Sequence, residues 1–530
     1  PNARVTFNQI GLYVQDEWSI SKKFKLTYGV RFDELLFDNS DIATNKAIYN
    51  LTFRDDQKID TGLWPKANLQ VSPRIGFIWD VKGDKSLKVR GGTGLFAGRL
   101  PLVFFTNMPT NAGLVQNSVQ FRTSYKNGVP TGYDKRLDAF NGGMMTNVQD
   151  AIKALGLQSE LNESNHVAGS KISGVDRNFK MPQIWKSSIA LDWQLPVSFP
   201  LTLTGEFMFN KTVTGVTIDN INIENPMKWK RFRGSDNRFI YPADFAINKG
   251  KNAVVLANTN KGYGYTANIT LNAQPVNNLD IMLAYTMTES KEVSGMPGSD
   301  PVSTWQGLIT IDGPNFGTVQ RSQYVVPHKL IASVNYFIPF KIFGGKGLHL
   351  NLFYSGSSGN GYSYVYTNDM NGDGINLDLM YIPKDDSQIN FKTDADRAAF
   401  WKFVEQDKYL SSHKGEYAEA YAARTPWVHR FDLRVAEDFA FNIGNTRHNF
   451  QLVFDFMNIG NLFNSKWGVY QINSISNNSS ILKYEGQNTK KQPIFSMYQK
   501  DGNYLTRSYD YNYHYGQCWK FQVGIRYIFN

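Results

Sequence analysis

Apolar and polar residues alternate singly along several stretches of this chain. In residues 9–20, Ile10, Leu12, Val14, Trp18 and Ile20 share one parity, and Gln9, Tyr13, Gln15, Glu17 and Ser19 share the other. A Ser-Lys-Lys turn follows, and then Phe24, Leu26, Tyr28, Val30 and Phe32 alternate with Lys25, Thr27, Gly29, Arg31 and Asp33. A period of two sends successive side chains to opposite faces of an extended strand, so each stretch predicts a half-apolar strand and the two together a hairpin. The unit recurs. Residues 72–81 and 87–96 flank Lys82-Gly83-Asp84, residues 184–195 and 201–210 flank Pro196 to Pro200, and residues 263–273 and 279–288 flank Gln274-Pro275. Residues 329–338 and 348–355 flank Pro339 to Gly347, and 428–437 and 449–459 flank a Gly-Asn turn at Gly444. A last strand over 518–529 stands alone, completing thirteen.

The connections carry the second signal. Between the hairpins lie the long segments 35–71, 97–183, 211–262, 289–328, 356–427 and 460–517, so short and long connections alternate strictly. A soluble sandwich has no reason to place every long loop at one end. A transmembrane barrel of the outer-membrane type does, with short turns on the periplasmic rim and long loops outside. Most strands are about 9–11 residues, enough to cross the hydrocarbon when tilted. Trp18, Trp79, Trp193, Tyr285, Trp427 and Trp467 lie near strand ends, where an amphipathic ring suits the membrane interface. With short turns inside, the first and the last strand both run toward the periplasm. Thirteen such strands cannot close evenly, and the expectation is at least one further strand upstream of Pro1; a chain closing by itself would overturn the inside/outside assignment. Strands hidden in the loops, such as 115–125 or 466–472, would leave the end-points unchanged.

Composition narrows the field. The chain is 14% aromatic and 19% charged, with 44 glycines, which suits an all-β protein and excludes disorder. Its one cysteine, Cys518, excludes a disulfide framework and a Cys-rich zinc module. No run of about 18 apolar residues is present, so no membrane-spanning helix is expected, and the opening residues carry no charged-then-apolar leader.

Several motifs carry a resemblance. Tyr13-Val-Gln-Asp-Glu-Trp18 with Leu26-Thr-Tyr-Gly-Val-Arg-Phe-Asp33 is similar to a barrel hairpin of TonB-dependent outer-membrane receptors. So are Ser72-Pro-Arg-Ile-Gly-Phe77 with Val89 to Phe96, Val326-Pro-His-Lys329, Pro426-Trp427 with Phe431-Asp-Leu-Arg434, and Asp455 to Asn464 followed by Lys466-Trp-Gly468. Their order resembles the large receptors of Bacteroidetes-type bacteria, especially the Oar-like branch with its N-terminal carboxypeptidase-regulatory-like domain. The resemblance implies that residues 1–530 are the C-terminal part of a 22-stranded antiparallel barrel with long extracellular loops, the plug, TonB box and N-terminal domain lying outside the sequence. It also implies import of a nutrient (peptide, glycan or siderophore) driven through TonB. Gln522, Gly524, Tyr527 and Phe529 in the terminal strand are similar to a barrel-assembly signal read by the assembly machinery, with Asn530 as a departure from the usual aromatic end.

Candidate chemistry is sparse. Asp369, Asn371 and Asp373 followed by Gly374 form the front half of a calcium loop, with the Ile375 carbonyl and Asp378 as further oxygen ligands; position 12 is Met380 rather than Glu. The alternative is a surface loop rich in Asx turns. Residues 393–410 predict a helix with Thr393 and Asp396 as a capping box, packing on neighbouring loops in preference to forming a lid. Tyr362, Tyr364, Tyr366, Tyr511, Tyr513 and Tyr515 could stack on sugar or peptide, loop packing being the preferred reading. Gly92-Thr-Gly94 and Gly262-Tyr-Gly264 precede no helix and mark bends or close approach in strands. Seven scattered histidines make no zinc motif, and no nucleophile or phosphate loop is present, so no enzyme is expected. The net charge of +10, with Lys228, Lys230, Arg231 and Arg233 among its carriers, points to lipopolysaccharide or another anionic ligand, not nucleic acid. A surface lipoprotein is a further candidate partner. The readings from other classes are a non-transporting adhesion or assembly barrel and a passive porin.

Overall fold

The computed structural model describes the chain except residues 1–3, 115–124, 127–128, 131–134, 144, 158–167, 227–228, 340–346, 476–477 and 529–530, and gives no side chains for 125, 126, 129 and 130. The expected strand within 115–125 therefore falls largely outside the described residues, as do Lys228, Phe529, Asn530 and His166.

One antiparallel path of thirteen strands dominates the molecule. These are β1 (Phe7–Ser19), β2 (Phe24–Phe37), β3 (Gln70–Asp80), β4 (Leu87–Ala97), β5 (Gln183–Gln194), β6 (Leu201–Asn220) and β7 (Tyr263–Val276). They continue as β8 (Leu279–Glu292), β9 (His328–Ile338), β10 (Leu348–Ser357), β11 (Val428–Ile443), β12 (Thr446–Met457) and β13 (Lys520–Ile528). Each pairs with its neighbour in sequence, and among the described residues β1 and β13 do not pair with each other. All thirteen expected strands are present, with short turns and long connections alternating.

Register shows why the alternation matters. Val14 lies opposite Val30, Val30 opposite Pro73, and Phe32 opposite Val71. Further on, Val89 faces Leu191, Ile189 faces Phe207, Leu271 faces Leu283, Val334 faces Leu352, and Leu352 faces Leu433. The series ends with Phe454 opposite Val523. One continuous apolar face thus crosses the wall, and it is open: Ile189 is 54% exposed, Ile269 56% and Ile525 70%. Among the described residues no second sheet covers it, so Leu26, Val30, Ile189 and Leu191 are not in a dry centre between stacked sheets. The opposite face carries Lys25–Glu17, Arg31–Asp33, Arg90 between Asp192 and Glu206, and Arg434–Asp455 ion pairs. Apolar outside and charged inside is the arrangement of a wall between lipid and a wet lumen.

Aromatic rows bound the apolar face at both ends. Near the long loops Tyr285, His328, Trp427, His429 and Tyr354 form a ladder with ring centroids 5.9–6.3 Å apart. Within it Tyr285 Oη lies 2.8 Å from His328 Nδ1, and Tyr354 Oη 2.7 Å from His429 Nδ1. Near the short turns stand Trp18, Trp79, Trp193 and the trio Phe441, His448 and Tyr527. His429 and Phe441 lie on one face of β11, twelve residues apart. At ~3.3 Å per residue and a ~45° tilt this separates the two girdles by about 28 Å, close to a hydrocarbon thickness.

Two details differ from the sequence expectation. Several strands run past the girdle: β6 has 20 residues, and its last third pairs with Asn252–Thr259, which in turn pairs in parallel with Lys171–Val175. The β7–β8 turn lies at Asn277-Asn278, with Asn278 at φ 68°, rather than at Gln274-Pro275. Pro275 sits where the register shifts between Ala273 and Val276, and a bulge tolerates the missing donor that a regular ladder would not. In the β11–β12 hairpin Gly444 takes φ 59°, the conformation its tight turn demands.

The apolar face makes a direct prediction. Ile189 lies midway between Trp185 and Trp193 on the outward parity of β5. Ile189→Arg is expected to cost about 2–4 kcal/mol in urea unfolding from lipid vesicles, whereas Thr270→Arg on the inward parity of β7 costs under about 1 kcal/mol. Equal losses at the two positions would contradict the face assignment.

Candidate functional site

Above the girdle the long connections fold into a cap with hydrophobic cores of its own. One core gathers Tyr362, Tyr364, Tyr366, Met380, Phe400, Phe403, Ile481 and Phe495, contributed by the connections 356–427 and 460–517. A second gathers Trp64, Phe105, Val254, Leu256 and Trp305 from four earlier connections. Around the first core Tyr364–Tyr366, Ser479–Gln487, Pro493–Met497 and Asn390–Phe391 form a four-stranded sheet. The expected strand at 466–472 is reduced to Gln471–Asn473, paired with Tyr509–Tyr511 outside the wall. Tyr362, Tyr364 and Tyr366 are thus packing residues. Tyr513 and Tyr515 are exposed, and Tyr511 stacks on Tyr513 at 5.6 Å.

The helix predicted over 393–410 is two helices, Asp394–Gln406 and Lys408–Ser412. Thr393 caps the first by accepting the Asp396 N–H at 3.1 Å. The capping box does not close on the backbone: one Asp396 oxygen accepts the Thr393 hydroxyl at 2.6 Å rather than its N–H, and the other accepts the Met497 N–H at 2.9 Å and the Tyr504 hydroxyl at 3.2 Å. Phe400, Phe403 and Val404 are buried, so this helix is a structural part of the cap.

An arginine that no sequence pattern singles out joins the loops. Arg238 is fully buried. Its Nε donates to Asp236 Oδ1 and its Nη2 to Asp236 Oδ2, each at 2.9 Å; Nη2 also donates to the Leu379 carbonyl. Nη1 lies 3.4 Å from Asp378 Oδ1. Tyr366 and Tyr417 donate their hydroxyls to Asp236 at 2.7 and 2.9 Å, and both rings lie beside the guanidinium. Burial pulls the Arg238 pKa down, but Asp236, Tyr366 and Asp378 overcome it and hold the net value well above the ordinary range. A planar fork that reaches two carboxylates and a carbonyl at once suits Arg and not Lys. Asp-x-Arg in a loop has no periodic signature, which is why sequence reasoning misses it.

The carboxylate loop predicted for calcium packs against this hub. Asp369 accepts N–H bonds from Gly372 (2.6 Å) and Gly374 (2.8 Å), Asn371 from Asp373 (2.9 Å), and Asp373 from Ile375 (2.8 Å). Asp378 accepts the Met370 N–H at 2.9 Å and turns its other oxygen to Arg238. The Asn371 carbonyl accepts the Tyr241 N–H at 2.7 Å, which ties the loop to the 211–262 connection. The donors are all oxygen, as a hard cation requires. Among the described residues, however, no group of three or more His, Cys, Asp or Glu is placed to hold a metal ion. The negative charge is costly as it stands. Burial, then Asp378 and Asp369, push Asp373 up to about 8, and burial pushes Asp378 up to about 7 against the pull of Arg238.

The terminal strand places Gln522 opposite Asp455 and Gly524 opposite Val453 on the lumenal parity, and Tyr527 opposite Phe450 on the lipid parity. Its free side carries no strand among the described residues.

Because Asp373 binds its proton more tightly when folded, its contribution is fully present below pH ~4 and is lost as pH rises through about 8. Thermal unfolding in chelator is expected to show the wild type losing stability from pH 5 to 8.5, by at most ~1.4 kcal/mol per pH unit for one proton. Asp373→Asn makes that slope shallower, leaving the part due to Asp378; an unchanged slope contradicts the assignment.

Comparison with known proteins agrees with this geometry. The family model for the outer membrane beta barrel domain matches residues 1–490. Among solved structures, the chain is similar to the outer membrane transporter YddB from Escherichia coli at 10% identity and TM-score 0.43, covering 98% of this chain and 45% of that one. It is also similar to the siderophore receptor PiuA from Acinetobacter baumannii (11% identity, TM-score 0.35, 86% and 39% covered). The FrpB iron transporter from Neisseria meningitidis is a third (10%, 0.36, 86% and 42%). The chain spans less than half the length of these solved structures. No curated protein matches its sequence. With its thirteen-stranded antiparallel wall and lipid-facing apolar parity, the chain belongs to the outer-membrane β-barrel domain family and resides in the outer membrane.

Proposed function

We propose that this chain is the barrel wall and outer cap of a TonB-dependent importer of the Oar-like branch, taking a peptide, glycan or siderophore into the periplasm. The observation that carries the reading is the cap. A passive porin needs an open mouth, whereas here the connections 356–427 and 460–517 share a core and Arg238 locks the first of them to 211–262. Ordered loops held on a rigid wall present a fixed outer surface, which selective capture requires. TonB, the barrel-assembly machinery, lipopolysaccharide and a surface lipoprotein are the partners this reading implies; enzymatic chemistry plays no part in it. The rival readings, an adhesion barrel and a porin, are outcomes of its test.

Calcium at loop 369–378 belongs to the proposal as a stabiliser of the cap, with Asp369, Asn371, Asp373, the Ile375 carbonyl and Asp378 as its ligands. The chelator melting series repeated with millimolar calcium tests it: a rise in Tm that Asp369→Asn abolishes supports the site, and no rise counts against it.

Arg238→Met leaves Asp236 and Asp378 buried without their cation, a loss of about 3–5 kcal/mol for a broken buried pair. Whole cells carrying it are expected to keep the folded barrel, lose protease resistance in the loops, and lose ligand uptake in the same way as a TonB-null strain. Uptake that survives without TonB would overturn energised import in favour of a porin. Uptake unaffected by deletion of the protein, with surface attachment lost, would favour adhesion.

A further inference from the structure

On its polar face the wall has a place where side chains are missing. Gly29, Arg74, Gly94 and Lys186 lie in one transverse row across β2–β5, and Thr27, Gly76, Gly92 and Ser188 lie in the next. The glycines leave a depression of about 330 Å³ floored by backbone. Phe96 stands at its rim with two cations over its ring, the Arg74 Cζ at 4.4 Å and the Lys186 Nζ at 5.5 Å from the centroid.

Some cations on this face are paired, and others, Lys88, Lys329 and Arg526 among them, have no carboxylate within ion-pair distance among the described residues. Lys25, Arg31, Arg90 and Arg434 each have a carboxylate within ion-pair distance. Arg74 and Lys186 have none among the described residues, and a ring face attracts a cation without neutralising it. Two positive groups are therefore gathered at one ring beside an open floor. A guanidinium fork next to an ammonium fits a carboxylate or a phosphate, which takes two parallel bonds from the first and a point charge from the second.

The glycines do not all have the same cause. A Cβ on Gly92 would meet the Ile75 carbonyl at 2.9 Å, and one on Gly94 would meet the Pro73 carbonyl at 2.9 Å, so strand packing alone demands glycine there. Gly76 is different. A Cβ there meets only the Gly91 carbonyl at 3.5 Å, an ordinary contact. Packing leaves room for a side chain at Gly76, and the space above it is the floor of the depression.

We propose that this depression binds a small solute bearing a carboxylate or phosphate, with Arg74 and Lys186 as its ligands and Gly76 as the floor on which it rests. The inference rests on the import reading only for what such a solute is doing in the lumen; the site itself follows from the wall.

Isothermal titration of the full-length protein folded in detergent, with citrate, inorganic phosphate, glucose and tetraglutamate as probes, tests it. Citrate or phosphate is expected to bind the wild type, with affinity falling as salt rises, and glucose is not. The Arg74→Gln/Lys186→Gln double variant is expected to bind at least tenfold more weakly. Gly76→Val, which fills the floor and keeps both charges, is expected to do the same while its heat-modifiable mobility matches the wild type. No binding of citrate or phosphate by the wild type, undiminished binding by either variant, or binding of tetraglutamate alone would overturn the proposal. Anion binding that persists where uptake proves independent of TonB would reject energised import and leave this site standing.

Discussion

No water is available in hydrocarbon to a peptide N–H or C=O, and this constraint organises the molecule. An extended chain meets it only by pairing with neighbours on both sides, so the strands form one continuous antiparallel path from β1 to β13. Pairing fixes register, and register fixes parity, since a slip of one residue would turn every Leu, Val and Phe from lipid to lumen. Most apolar residues of the thirteen strands consequently fall on one face, while Arg90, Asp192 and Glu206 meet on the other. The girdles follow from the same geometry, because Trp, Tyr and here also His place an amphipathic ring where the medium changes from tails to headgroups.

Once the strands pass the outer girdle the solvent changes and so do the rules. Beyond that level β6 continues as an ordinary water-soluble strand and takes Asn252–Thr259 as a partner. The loops bury Tyr, Phe and Ile among themselves instead of against lipid. Arg238 illustrates the cost of that arrangement. A fully buried guanidinium is tolerable only because two carboxylates, a carbonyl and two tyrosines surround it, and each belongs to a segment that must arrive in the right place. The charge of the 369–378 loop is less completely answered, and burial raises the pKa values of Asp373 and Asp378.

The wall was legible in the sequence because its rule is local: a period of two, a short turn, a period of two. Even Trp193 could be placed at a strand end from spacing alone, whereas Tyr285, expected at one too, lies midway along β8 because that strand runs past the girdle. The cap was not legible in this way. Tyr364 reads the same whether it faces a ligand or a core, and only the arrival of Asp407, Phe400 and Ile481 from distant segments decides that it is buried. Arg238 and the Arg74–Phe96–Lys186 group are likewise meetings of residues far apart in the chain, and no window of neighbouring residues contains them. The turn at Asn277-Asn278 was misplaced for a smaller reason: Pro275 looks like a turn former, yet a bulge accommodates it within the strand.

The claim on which everything else depends is which parity meets lipid. Nitroxide labels placed singly at each position from Trp185 to Trp193 in the full-length protein reconstituted in bilayers measure it, through relaxation by oxygen, which dissolves in lipid, against a water-soluble nickel chelate. The account predicts an oscillation of period two, with oxygen dominant at 187, 189 and 191 and nickel dominant at 186, 188 and 192. A flat profile, or one of opposite phase, would contradict it.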